Sequence, residues 1–305
     1  MREPIQKYFK VGLVEFMAYP AGLKGEDPDI VSRVKQLACD DYFDAIEMTW
    51  IKDEAKRNEV AKLLDTSKMT VLYGAQPRLL TTGLNPNHLD EGERKKAEAT
   101  LLEGVDEAVS IGAKGFAFLS GKWEEARKEE GYAQLLKTTR AVCDYAKEKG
   151  VFVELEVFDF DIDKASLIGP APLAARFAAD MRTTHQNFGL MIDLSHIPMT
   201  YESTAFVVQT LRPYLTHFHI GNTVCHDASH EGYGDLHQRF GFPNGANDVP
   251  EVLEFLRVLK NEGFFKAEAP YVLSFEVRPW QDEDPDVVVA NAKRVLNRAW
   301  ALLED

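Results

Sequence analysis

The sequence predicts an α/β protein whose eight βα units close into a single (β/α)8 TIM barrel. Three observations lead there. Eight short, near-continuous apolar runs read as strands covered on both faces, which parallel strands require. Amphipathic charged segments at helical spacing separate them in strict alternation, the arrangement of parallel βα units that can close into a ring. The segment VEFMAYPAG after the first strand is a poor match to the GxGxxG turn of an open, doubly wound sheet.

The units follow in order. VGLVEF (11–16) is the first strand, and the helix after it spans 28–40, with Pro28 at its first position and Asp27 as its N-cap. AIEMTW (45–50) precedes a helix over 53–66. TVLYGA (70–75) precedes one over 89–111, where Asp90 followed by Glu93 resembles a capping pattern. GFAFLS (115–120) leads to 130–149, closed by Gly150. VFVELEVF (151–158), FGLMIDL (188–194), LTHFHI (215–220) and YVLSFEV (271–277) lead to helices over 170–184, 201–211, 249–262 and 284–303. The interval from 221 to 270 is the longest between strands and reads as a long functional insertion after strand 7. No linker or low-complexity tract divides the chain, so residues 1–305 are expected to form one domain.

Composition narrows the function. Hydrophobic residues make up 45% and charged residues 28%, as in ordinary globular proteins. No apolar run approaches the roughly 20 residues of a membrane span, and the N-terminus lacks the apolar stretch of a secretory signal. Three separated cysteines, Cys39, Cys143 and Cys225, read as free thiols in a reducing cytoplasm. A net charge of −14 argues against nucleic acid and anionic lipid as partners.

The chemistry gathers at strand ends. In such a barrel the site forms at the C-terminal ends of the strands, and acids inside apolar strands are costly unless paired or bound to a cation. Glu156, Asp193, His219 and Glu276 lie at or near the ends of strands five to eight. Three carboxylates and one imidazole suit Mn²⁺ best, with Mg²⁺ or Co²⁺ close behind and Zn²⁺ admissible. THFHIGNTVCHDASHEGYGDLHQRFG (216–241) holds five of the eight histidines. Within it, Asp235 and His237 alternate, so an extended backbone points both one way. With His196, three residues after Asp193, they would form a second metal site or hydrogen-bond a polyol. His217 shares the face of His219 and is read as interior filler rather than an outer partner of the metal. Glu154 is read as half of an ion pair with Arg278 or Lys114, and Glu47 as a pocket-lining or barrel-capping residue. Phe16, Tyr19, Trp50, Gln76 and Phe158 are at other strand ends, where they would wall the pocket and supply hydrogen bonds or equally serve as ordinary packing. Lys122, Arg239 and Arg278 are the candidate phosphate partners. His226 and His230 read as solvated, and His88 and His185 are given no role.

The ordered set Glu156, Asp193-Leu-Ser-His196, His217-Phe-His219-Ile-Gly, Asp235-Leu-His237 and Phe-Glu276 resembles the xylose-isomerase-like barrels across nearly the whole chain. That superfamily includes sugar and sugar-phosphate isomerases, ketose 3-epimerases, inosose-processing enzymes and endonuclease IV. Resemblance to the 3-epimerases implies that Glu156, Asp193, His219 and Glu276 hold the metal. It also implies that the two glutamates transfer protons and that His196 contacts substrate. Two positions depart from that branch: its Arg after the metal His is Cys225 here, and its second Glu after strand five is Ile162. The trinuclear site of endonuclease IV needs histidines where this chain has Gln76 and Ser120, so DNA repair is not expected.

The function expected is therefore a metal-dependent sugar isomerase or epimerase. A bound divalent ion would act as a Lewis acid on an enediolate, with Glu156 and Glu276 as bases and His196, Asp235, His237, Gln76 and Glu47 binding a sugar or polyol. Two alternatives stand beside it. One is a metal-dependent lyase or hydrolase on the same scaffold, such as a C-glycoside-cleaving subunit. The other is a binding subunit without turnover. Barrels of this kind often pair, and a homo-oligomer is compatible with a sequence that shows no interface signature.

Overall fold

The computed structural model describes residues 1–304. Eight parallel strands close into a barrel in chain order: β1 (Phe9–Val14), β2 (Ala45–Met48), β3 (Thr70–Gly74), β4 (Gly115–Leu119), β5 (Phe152–Val157), β6 (Phe188–Asp193), β7 (Leu215–Gly221) and β8 (Tyr271–Glu276), with β8 pairing back on β1. The α-helices are α1 (Glu15–Ala18), α2 (Ile30–Ala38), α3 (Glu54–Ser67), α4 (Gln76–Leu80), α5 (Glu91–Ser110), α6 (Lys128–Glu148), α7 (Ala171–Arg182), α8 (Thr204–Leu211), α9 (Val249–Asn261) and α10 (Pro285–Leu302). All eight strands and eight long helices expected from the sequence are present, with ends displaced by a few residues.

Two short helices were not anticipated, and both lie at the mouth of the barrel. The run VGLVEF leaves the sheet after Val14, and Phe16 belongs to α1. Glu15, Phe16 and Ala18 are buried against the barrel top, so the apolar character continues across the strand end and hides it. Helix α4 starts on the residue pair Gln76-Pro77, where proline's missing N–H costs nothing. The expected cap of the first long helix is also corrected: α2 begins at Ile30. Asp27 instead accepts from Asp29 N at 2.8 Å and pairs with Arg33 at 3.1 Å. Asp90 does accept from Glu93 N at 3.0 Å, and Gly150 takes the left-handed conformation (φ 71°) that ends α6.

The main core lies between barrel and helices, built on residues such as Phe116, Phe118, Phe177, Phe188, Phe218 and Phe275. Inside the barrel the apolar fill is thin. A small separate cluster of Ala45, Leu72 and Val272 lies near the bottom, and above it the interior is filled by carboxylates and imidazoles. One irregularity aims these side chains. Leu190 pairs with Leu215, but the next residue, Met191, pairs with His217, so Thr216 is an extra residue in β7. Because side chains alternate along a strand, one inserted residue reverses the facing of everything after it. His217 and His219 therefore point into the barrel, and Asp193 pairs directly with His219.

Candidate metal centre

Glu156, Asp193, His219 and Glu276 come from four consecutive strands, are all buried, and each offers a ligand atom within 4.8 Å of the others. They are staggered rather than level. Asp193 pairs with His219, His219 with Ser274, and Glu156 lies beside Met191, the steps that strand tilt imposes on a closed barrel. His219 Nδ1 faces Glu276 Oε2 at 2.6 Å and Glu156 Oε1 at 3.9 Å. Gln76 donates to Glu156 Oε2 at 2.6 Å, and Ser195 N donates to Asp193 Oδ1 at 2.6 Å. The other oxygen of each acid, Glu156 Oε1 and Asp193 Oδ2, is buried without a hydrogen-bond partner among the described residues. A buried carboxylate oxygen left bare beside further acids is a cost that a cation removes. The donor set and these orphaned oxygens fit a divalent ion.

The electrostatics agree. Burial and the neighbouring charge of Glu276 push Glu156 up to about 8, and burial also raises Asp193. Burial alone would raise Glu276 too, but His237 and His219 carry it down to about 2. Burial would lower His219, yet Glu47 and Glu276 hold it well above its ordinary value. In a cation-free cluster, protons on imidazoles and on Glu156 supply the balancing charge.

Behind the centre runs a chain of acids and imidazoles. Glu47 Oε1 lies 2.9 Å from His219 Nε2 and 3.0 Å from His217 Nε2, and His217 Nδ1 lies 3.1 Å from Glu154 Oε2. Thr216 completes it with a 2.7 Å bond to Glu154 Oε1. This corrects two expectations. His217 is a hydrogen-bonding bridge, because β7 aims it at two carboxylates. Glu154 has neither Lys114 nor Arg278 as its partner; the polar groups of Thr216 and His217 satisfy it. Both His219 nitrogens face carboxylates and so carry protons; a cation at Nδ1 would displace the proton there while Glu47 keeps the one on Nε2, the usual role of a carboxylate behind a metal-binding imidazole.

His196, Asp235 and His237 meet above the centre. His196 Nδ1 faces Val157 O at 3.0 Å, and its Nε2 faces Asp235 Oδ1 at 3.1 Å. Both partners can only accept, so both nitrogens carry protons. Burial opposes that charge, and Asp235 outweighs it, lifting His196 to about 10. His237 Nε2 reaches the same Asp235 oxygen at 2.8 Å. The backbone there is not extended as expected: Leu236 N bonds Gly234 O and His237 is left-handed (φ 53°), yet the two side chains still converge.

A residue that sequence reasoning missed joins them. Lys164 Nζ lies 3.0 Å from both Asp235 Oδ2 and Asp163 Oδ2. Its loop is tied by the buried Asp159, which accepts backbone N–H groups from Ile162, Asp163, Lys164 and Ala165. Lys164 thus supplies a positive charge where a second ion ligated by Asp235 would supply one. The single basic residue in DFDIDKAS, eight positions after Glu156, was the available signal.

A cavity of about 210 Å³ opens over this centre, lined by Glu47, Gln76, His219, Asp235, His237 and Glu276 among others. Phe16 and Phe158 wall it as expected, whereas Tyr19 is buried on Asp286 and Trp50 bonds Leu23 O, both outside the lining. Gln76 Oε1 is buried and unpartnered among the described residues. Of the three candidate phosphate partners, Arg278 lines the cavity. Lys122 instead binds Lys164 O, and Arg239 pairs with Glu283.

The family model of the xylose isomerase-like TIM barrel matches residues 36–296. No curated protein matches the sequence. Among solved structures, D-psicose 3-epimerase from Clostridium cellulolyticum H10, determined with D-tagatose, is similar at 18% identity with a TM-score of 0.70, covering 97% of this chain and 100% of that one. The 3-keto-D-glucoside 4-epimerase YcjR from E. coli matches at 14% and 0.67, over 95% and 99%. The IOLI protein, solved with a bound zinc atom, matches at 16% and 0.72, over 97% and 100%. No helix among the described residues is long and apolar enough to cross a membrane.

Proposed function

The chain belongs to the xylose isomerase-like TIM barrel family, and we propose that it is a divalent-metal-dependent isomerase or epimerase of a sugar or sugar derivative. The observation that carries this reading is the convergence of Glu156, Asp193, His219 and Glu276, with one oxygen of Glu156 and one of Asp193 left bare. Those four residues would hold the ion, Mn²⁺ before Mg²⁺, Co²⁺ or Zn²⁺, whose Lewis acidity would stabilise negative charge on a substrate oxygen as the neighbouring carbon loses its proton.

The chain's own residues do the rest. Glu156 and Glu276 approach the substrate from strands separated by two others around the ring, so one carboxylate can take a proton that the other returns. Return to the opposite face of the same carbon inverts it; return to the neighbouring carbon moves the carbonyl. Gln76 holds Glu156 Oε2 and presents its free Oε1 to a substrate hydroxyl. Asp235 and His237, fixed by His196 and Lys164, line the upper wall and orient further hydroxyls. Phe16 and Phe158 restrict water at the reacting carbon.

The test is NMR in D₂O of the Mn²⁺-loaded protein with a panel of ketoses, aldoses and inososes. The reading expects solvent deuterium at the carbon beside the carbonyl of one sugar, with no fragment released, and loss of exchange in Glu156→Gln and Glu276→Gln. Release of a smaller product would assign a lyase instead. Absence of exchange with every sugar would refute the proton-transfer role.

A further inference from the structure

Beside the cavity over the metal centre lies a second one of about 330 Å³, over the ends of β3, β4 and β5. The two share Leu80 and Lys164 in their walls, so they adjoin. We propose that the substrate is a glycoside bearing a ketone on its sugar ring, which keeps a C–H beside a carbonyl while the anomeric carbon is tied up; the sugar ring enters the first cavity while an apolar, ring-sized aglycone occupies the second, with Leu80 and Leu84 selecting for it. This names the substrate class of the site assigned above and rests on that assignment.

The walls of the second cavity carry the argument. Leu79, Leu80, Leu84, Pro86 and Leu119 supply its apolar surface. Several of the polar groups around it are already bound within the protein. Ser120 Oγ accepts from Ile168 N, Lys122 Nζ donates to Lys164 O, Asn85 Oδ1 accepts from Asn87 N, and Asp163 holds Lys164 and Asp235 N. A second sugar ring would need unpaired donors and acceptors; a hydrocarbon or aromatic ring needs the leucines. Leu80 is the telling residue. It is 48% exposed at the boundary between the cavities, an apolar side chain left uncovered where a substituent on the bound sugar would pass.

The wall is rigid rather than incidental. Helix α4, which presents Leu80, is anchored from below by Arg78, bonded to Tyr73 Oη at 2.8 Å and paired with Glu107. Opposite, the 85–87 segment closes directly on Gly121, where a Cβ would run into Asn85 Oδ1. The cavity is therefore held open by the packing around it.

Binding to Mn²⁺-loaded protein of paired phenyl and methyl β-glycosides of glucose, galactose and xylose tests this. At least one phenyl member should bind about tenfold or more tightly than its methyl partner. Leu84→Ser and Leu80→Asp should bring that ratio towards one, with metal content unchanged. Phenyl-to-methyl ratios within threefold for all three sugars, or no binding by any, would overturn the proposal. So would a preference for a disaccharide over every phenyl glycoside. The readout is binding, so it separates from the reading beneath it. A phenyl preference without deuterium exchange on any sugar would sink the proton-transfer chemistry and leave the aglycone cavity standing. Exchange with ratios near one would do the reverse.

Discussion

Glu47 touches two imidazoles with one oxygen, and that contact makes it the residue on which the orientation of His219 turns. Glu47→Gln keeps the shape but replaces a charge with an amide, and we expect divalent-metal affinity to fall by about 10–100-fold. Titration of chelator-stripped protein would show it, and unchanged affinity would remove Glu47 from the centre. The buried Glu15 gives a second expectation, on pH. Burial lifts its carboxyl to about 8 despite Arg33 nearby, above the ~4.3 of an unfolded chain. Its contribution to stability is thus fully present below about pH 4.3 and is lost as pH rises through 8. Glu15→Gln should therefore gain stability over the parent as pH goes from 5 to 9, read by denaturant unfolding at both values; a gain that does not grow with pH contradicts it. The convergence of Glu156, Asp193, His219 and Glu276 was legible because three acids and a histidine ending four successive apolar strands have few inexpensive alternatives to a cation. His217 and Glu154 were misread because a one-dimensional pattern gives the face of a strand but not which groups meet across the barrel. Lys164 escaped because a charged loop residue looks the same whether it faces solvent or a buried aspartate.

The β7 irregularity shows how an element aims chemistry. With Thr216 in place, Met191 pairs with His217 and Asp193 with His219, and both histidines point inward. Inserting one residue between Thr216 and His217 would shift every later side chain of β7 to the other face and turn both imidazoles outward. The variant should fail to retain a stoichiometric divalent ion. Because it also places imidazoles in the outer core, it should lose several kcal/mol of stability; retention of the metal would show that β7 absorbs the extra residue in a wider bulge. The strands and long helices were readable from periodicity and from signals such as Asp90 and Gly150. The short helices α1 and α4 were not, since burial over the barrel mouth continues the apolar pattern past the strand ends, and five residues or fewer carry no helical period.

Across the whole molecule, the barrel separates two tasks. An outer aromatic and aliphatic core holds the ring closed, and the interior above Ala45, Leu72 and Val272 is given over to acids and imidazoles. The architecture was legible because a strict alternation of buried strands and amphipathic helices admits few closures. The mouth was not, because its loops are ordered by individual bonds, such as the four backbone contacts of Asp159, that leave no period. The proposed chemistry depends on one ion held by residues of four strands. Calorimetric titration of chelator-stripped protein with Mn²⁺ tests that most directly. One ion per chain should bind, with affinity lost in both His219→Ala and Glu276→Gln. No binding by the parent, or undiminished stoichiometric binding by both variants, would contradict the account.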